Sequence, residues 1–166
     1  MTLSFVRTVK KYWPAIIFCL VSFLTLFFRL NSVVDYNIAF TPDQARDMLE
    51  IRQIAVGHSP KLLGPITDIL GLYLGPFWYY FNLFPFVVSG GDPLALVYFS
   101  IAVFHLFSFL VYWGLSKKDK TLALFSSALL LLSPVSFLTT RYAFNANAIF
   151  YFTALYPVFF FFQSSL

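Results

Sequence analysis

Residues 94–115 read LALVYFSIAVFHLFSFLVYWGL, an unbroken run of 22 residues without Asp, Glu, Lys or Arg. The hydrocarbon core of a bilayer is about 30 Å thick and needs roughly 20 apolar residues in a helix, so this run predicts a transmembrane helix. Comparable apolar runs occupy Tyr12–Leu30 and Thr121–Thr139, and a fourth covers Ala148–Leu166. The sequence therefore predicts an all-α fold of polytopic transmembrane helices.

The composition of the whole chain supports this fold class. Of its 166 residues, 60% are hydrophobic and 22% are aromatic, whereas a soluble domain averages about 45–50% apolar residues. The net charge is +4, but the basic residues lie at the ends of apolar runs, so nucleic-acid binding is not indicated. The chain has no phosphate-binding loop, zinc-ligand spacing or G-x-S-x-G motif, and no cofactor is expected.

Two clusters of basic residues predict the topology. One precedes the first apolar run and the other separates the second from the third: Arg7, Lys10, Lys11, and Lys117, Lys118, Lys120. The positive-inside rule places both clusters in the cytoplasm. The chain is then one membrane module of the plasma (inner) membrane, with a cytoplasmic N-terminus. Its predicted parts are transmembrane helices 12–30, 94–115, 121–139 and 148–166, extracytoplasmic loops 31–93 and 140–147, and a cytoplasmic turn 116–120.

The long loop 31–93 carries most of the charge and two predicted helices at the membrane surface. If the apolar segment 71–88 crossed the bilayer, the second basic cluster would lie outside. We therefore expect Tyr73–Phe86 to form a helix in the interface, where Trp and Tyr side chains prefer to lie. A second, amphipathic helix is predicted over Pro42–Val56. The charged residues assigned to this loop are Arg29, Asp35, Asp43, Arg46, Asp47, Glu50, Arg52, Lys61 and Asp68.

The start of the amphipathic helix, FTPDQARD at 40–47, gathers two carboxylates and an arginine just after the first apolar run. Thr41 fits the N-cap position and Pro42 the first helical position. Asp43 and Asp47 are four residues apart and share a helix face. Such a pair can act as a base, bind a cation, or simply complement the helix dipole.

Three motifs follow one another along the chain, at 43–46, 63–80 and 140–147. Their order resembles that of motifs in the GT-C glycosyltransferases, polytopic enzymes that take sugars from polyprenyl-phosphate carriers. The likeness is greatest to the dolichyl-phosphate-mannose–protein mannosyltransferase and aminoarabinose-transferase type, glycosyltransferase family 39. Asp43-Gln44-Ala45-Arg46 stands where that family has its catalytic carboxylate. Leu63-Gly64-Pro65 and Gly75-Pro76-Phe77-Trp78-Tyr79-Tyr80 resemble its Gly/Pro-rich aromatic segment. Thr140-Arg141-Tyr142-Ala143-Phe144-Asn145-Ala146-Asn147 is similar to its arginine motif after the third helix.

The resemblance implies transfer of a sugar from a polyprenyl-phosphate donor to a lipid, glycan or protein acceptor at the extracytoplasmic face of the bilayer. Asp43 would be the general base, and its alternative role is that of a helix-dipole partner. Asp47 would hold the acceptor or orient Arg46, and a solvated surface charge is its alternative. Family members are longer, so the resemblance also implies that the chain continues beyond Leu166. The rival reading is a non-catalytic membrane scaffold or lipid-carrier-binding fragment.

The remaining site residues implied by the resemblance would bind substrate. Lys61 and Arg141 are candidates for contact with the carrier phosphate. Lys61 also fits a lysine that extends along the interface. Asn145 and Asn147 would bind the sugar or, alternatively, cap the fourth helix. The oligosaccharyltransferase branch of the GT-C enzymes has a further acidic residue in the second external loop, which binds a divalent cation. Because this loop offers only Asn145 and Asn147, the resemblance implies no metal site.

Overall fold

The computed structural model describes residues 2–67, 69, 71–153, 155, 156, 159 and 160. These residues form seven α-helices and no strand, apart from an isolated bridge between Ile66 and Tyr73. The helices are α1 (Thr2–Ser32), α2 (Pro42–Ala55), α3 (Phe77–Ser89), α4 (Pro93–Ser116), α5 (Lys120–Leu132), α6 (Pro134–Thr140) and α7 (Asn147–Thr153). The all-α prediction is confirmed.

Two helices are long and apolar enough to cross a membrane. They are the Tyr12–Ser32 part of α1 and the whole of α4, which correspond to the first two predicted spans. Their sides carry many exposed large apolar residues, such as Phe23 and Leu106, as expected of surfaces that face lipid. The described residues accordingly form a helical structure with two candidate membrane-spanning helices.

The third predicted span is broken in the middle. Helices α5 and α6 are long and apolar enough to cross a membrane only if the two are taken together, and they are bent by 55° at Ser133. Pro134 provides no backbone N–H and disfavours helical dihedrals at the residue before it. Ser133 accordingly has φ −60° and ψ 127°. The fourth predicted span begins in α7, and much of it lies outside the described residues.

The helix predicted over Tyr73–Phe86 is present but begins and ends later, at Phe77 and Ser89. Residues 73 and 74 instead pair with the preceding turn: the Gly64 N–H donates to Leu74 O at 3.0 Å, and the Leu74 N–H donates to Pro65 O at 2.9 Å. A side chain at Gly64 would collide with the carbonyl oxygen of Gly75. The 13 residues of α3 extend only about 20 Å, too short for the bilayer core.

The largest buried apolar cluster lies where α2, α3 and the start of α4 meet the loop between α6 and α7. Its members are Val33, Ile51, Trp78, Tyr79, Phe86, Leu96, Val97, Ile101 and Ala143. Because residues from both predicted external segments share this core, it fixes α2 against the α6–α7 loop. The candidate site lies at that junction.

Candidate active site

Helix α2 begins with a capping box that involves Thr41 and Gln44. The Gln44 N–H donates to Thr41 Oγ1 at 3.5 Å, and the Thr41 N–H donates to Gln44 Oε1 at 3.0 Å. Pro42 occupies the first turn, where its missing N–H costs no hydrogen bond. The predicted N-cap is therefore confirmed, and it fixes the direction in which the two following carboxylates project.

The two aspartates of α2 have different surroundings. The Asp43 side chain is 52% exposed, whereas that of Asp47 is only 3% exposed. Arg46 links them, with Nη1 at 3.1 Å from Asp43 Oδ1 and Nη2 at 3.2 Å from Asp47 Oδ1. The exposed carboxylate can therefore meet an incoming hydroxyl group, while the buried one holds the guanidinium in place.

The α6–α7 loop completes this cluster from about one hundred residues further along the chain. Asn145 Nδ2 donates to Asp47 Oδ2 at 3.3 Å, and Gln44 Nε2 donates to Ala143 O at 3.1 Å. The Thr41 and Tyr142 hydroxyls are 3.3 Å apart. Two of the three motifs that carry the resemblance thus lie against each other.

Burial dominates the electrostatics of the cluster. It raises the pKa of Asp47, although hydrogen bonds and charge from Arg46 and a hydrogen bond from Asn145 act in the opposite direction. Burial also raises the pKa of Tyr79 to about 12, with smaller contributions from the charges of Asp47 and Glu50. Tyr79 is therefore a neutral hydroxyl at physiological pH, available as a hydrogen-bond donor.

Lys61 lies beside the cluster, but its charge is already balanced. Its Nζ is 2.8 Å from Glu50 Oε2 and donates to Gln53 Oε1 at 2.5 Å. Its backbone N–H donates to the Tyr80 hydroxyl at 3.0 Å. Arg46 and Lys61 both border a cavity of about 520 Å³, together with Glu50, Tyr73 and Tyr79. Glu50 and Tyr79 were not predicted as site residues. A signal for Glu50 was present in the sequence, because it follows Arg46 by one helical turn and so lies on the same face of α2.

Arg141 contacts the segment between α1 and α2. Its Nη2 donates to Asn37 O at 3.0 Å, its buried Nε has no hydrogen-bond partner, and its guanidinium lies 6.0 Å from the centre of the Phe137 ring. Asn147 Nδ2 donates to Thr139 O at 2.9 Å and to Tyr142 O at 2.7 Å. Asn147 thus holds the loop from within by donating to two backbone carbonyls, whereas Asn145 alone of the two contacts a carboxylate, that of Asp47.

Arg29 was assigned to the loop by sequence, but the structure buries it completely at the end of α1. Its guanidinium donates to Leu131 O at 2.9 Å, Ser136 O at 2.6 Å and Ser136 Oγ at 2.8 Å, and also to Thr140 Oγ1. The break between α5 and α6 leaves carbonyls at the end of α5 without helical partners, and Arg29 binds one of them, Leu131 O. Of this arrangement, only the helix break could have been predicted from the sequence, on the basis of Pro134.

Among the described residues, no group of three or more His, Cys, Asp or Glu side chains is placed to hold a metal ion. Comparison of the chain with protein-family models, with curated proteins and with solved structures gave no match.

Proposed function

We propose that the protein transfers a sugar from a polyprenyl-phosphate donor to an acceptor at the extracytoplasmic face of the membrane. One observation carries the proposal. The segments 41–47 and 142–145, which hold two motifs of the resembled family, are in contact, and the contact includes the buried carboxylate of Asp47. Their contact also supports the predicted topology, because both segments must then lie on the same side of the membrane.

In the proposed reaction Asp43 is the base. Its exposed carboxylate accepts the proton of the acceptor hydroxyl, and the resulting oxygen attacks the anomeric carbon of the sugar. The bond between that carbon and the phosphate oxygen breaks, and polyprenyl phosphate leaves with the bonding electron pair. Asp47 positions Arg46, and the cavity beside Arg46 gives the sugar room next to the neutral hydroxyl of Tyr79.

Arg141 suits the leaving phosphate better than Lys61 does. Lys61 is neutralised by Glu50 at 2.8 Å, so binding a phosphate there would require that pair to separate. Arg141 has no carboxylate partner among the described residues, and a single donor of its guanidinium is used, by Asn37 O. An unpaired guanidinium binds a phosphate through two parallel hydrogen bonds.

A second candidate function, that of a non-catalytic scaffold or carrier-binding fragment, is favoured by a different observation. Arg46 balances both aspartates and Glu50 balances Lys61, so these charges are satisfied without any substrate. Such internal pairing is also what a purely structural cluster would show.

The two functions are separated by supplying labelled polyprenyl-phosphate sugars, with mannose, glucose and aminoarabinose in turn, to membranes that contain the full-length protein. Release of polyprenyl phosphate that increases with time and with protein concentration is the result expected of the enzyme. Saturable binding of every donor without any release would contradict the enzymatic proposal and support the scaffold.

A further inference from the structure

A second cavity lies on a different side of α2 from the charged cluster. This groove has a volume of about 730 Å³ and runs between α2, the end of α3 and the start of α4. Its walls are mainly apolar and include Met48, Leu49, Val56, Phe86 and Val87. Arg46 and Glu50 do not line it; they border the smaller cavity. The groove is therefore separate from the proposed sugar site, and its volume is in the range of small-ligand sites.

Among the described residues, Arg52 has the single charged side chain in the wall of this groove. It is exposed and makes no hydrogen bond or ion pair with any described residue. By contrast, Arg29, Arg46, Arg141 and Lys61 all have protein partners. A guanidinium without a partner beside an apolar groove is complementary to a ligand with an anionic group attached to a hydrocarbon chain.

The groove lies where the surface of a bilayer is expected. Pro93, the first residue of the membrane-spanning helix α4, is part of its wall. The apolar side chains around it remain exposed: Leu49 is 58%, Val56 69% and Val87 59% exposed. Amphipathic helices at this depth place their apolar face among acyl chains and their basic residues near lipid phosphates.

We propose that this groove binds an anionic bilayer phospholipid, with an acyl chain along its apolar wall and the phosphate on Arg52. The sugar donor is a poorer occupant, because its phosphate has to reach the reacting carboxylate. Arg52 follows Asp43 by nine residues on α2, which corresponds to about 13 Å along the helix axis. The bound phospholipid would hold α2 at the membrane surface and is independent of the proposed catalysis.

Native mass spectrometry of the detergent-solubilised full-length protein tests this proposal. The protein is titrated with phosphatidylglycerol, with phosphatidylcholine of the same acyl chains, and with polyprenyl phosphate. We expect phosphatidylglycerol to bind about tenfold more tightly than phosphatidylcholine, because the choline ammonium of the latter offsets its phosphate charge and repels Arg52. Equal binding of the two phospholipids, or preferential binding of polyprenyl phosphate, would overturn the proposal.

Two matched pairs of variants locate the lipid. Arg52→Gln should abolish the preference for phosphatidylglycerol, whereas Lys120→Gln removes the same charge from the start of α5 and should leave it unchanged. Val87→Trp fills the groove and should weaken binding of both phospholipids, whereas its exposed neighbour Val88 lies outside the groove, and Val88→Trp should have no effect. Circular dichroism checks that each variant is folded. Identical behaviour within either pair would place the lipid elsewhere.

Discussion

Asn145 Nδ2 donates a hydrogen bond to Asp47 Oδ2 at 3.3 Å across a sequence separation of 98 residues. This bond joins α2 to the loop between α6 and α7. Asp47 is buried and also accepts from Arg46, so it holds two partners that come from different parts of the chain. The relationship makes Asp47 a positioning residue, while its neighbour Asp43 remains open to solvent.

Replacing Asp47 should therefore cost more stability than replacing Asp43. Asp47→Ala leaves the half-buried Asn145 and one side of Arg46 without this partner, and we expect a loss of roughly 1–3 kcal/mol in the free energy of unfolding. Asp43→Ala removes an exposed ion pair, which is worth about 0–1 kcal/mol. Thermal unfolding of both variants in the same detergent measures the difference. Equal midpoints would show that the Asp47 contacts contribute little.

The raised pKa of Asp47 predicts a particular pH dependence of stability. Because the folded state binds this proton more tightly than the unfolded state, the Asp47 contribution to the free energy of unfolding falls as pH rises. The fall begins near the ordinary Asp pKa of ~3.9 and ends above the raised pKa of the folded state. Asp47→Asn should remove it, whereas Asp35→Asn, which changes an exposed carboxylate, should retain it. Thermal midpoints measured across this pH range check the prediction; identical profiles for both variants would contradict it.

Arg29 should be essential to the broken helix pair. Arg29→Lys keeps the charge but cannot reach the carbonyls of both Leu131 and Ser136 in the fork-like geometry of a guanidinium. We expect Arg29→Lys to lower the free energy of unfolding by roughly 2–4 kcal/mol, measured by thermal unfolding. The control is Asn31→Ala on the exposed side of α1, where the side chain bonds only to Phe27 O. A lysine variant as stable as this control would contradict the proposed role.

Arg141 and Lys61 should differ in their effect on the sugar donor. Arg141→Met removes the guanidinium proposed to meet the leaving phosphate, whose one hydrogen bond is to Asn37 O, so we expect kcat/KM for the donor to fall at least tenfold. Lys61→Met removes a cation already neutralised by Glu50, and kcat/KM should change less than threefold. Donor-dependent release of polyprenyl phosphate gives both values. The reverse order would assign the phosphate to Lys61.

Local signals in the sequence predicted much of this structure. Thr41, Pro42 and Gln44 act within one helical turn, so the start of α2 could be predicted from residue preferences alone. The long apolar runs similarly predicted α1 and α4. The bounds of α3 were wrong because Tyr73 and Leu74 pair with the Gly64–Ile66 turn, a contact that helical periodicity does not reveal.

The candidate site was predictable only in part, because burial depends on distant segments. Asp43 and Asp47 look alike in the sequence, and Asp47 becomes buried only where α2 meets the Tyr142–Asn145 loop. Similarly, Arg29 looked like a loop charge because its partners follow more than one hundred residues later. The partners of Lys61 and Arg141 likewise depend on how the segments fold together.

The most direct test of the central claim compares Asp43→Asn with Asp35→Asn in the full-length protein. The assay measures the rate at which membranes containing each variant release polyprenyl phosphate from the labelled donor. We predict that Asp43→Asn lowers this rate by about 10²–10⁴-fold, the usual contribution of a general base, while Asp35→Asn matches the unmodified protein. If Asp43→Asn retains the full rate at the same level of folded protein, Asp43 is not the base and the account of the site is wrong.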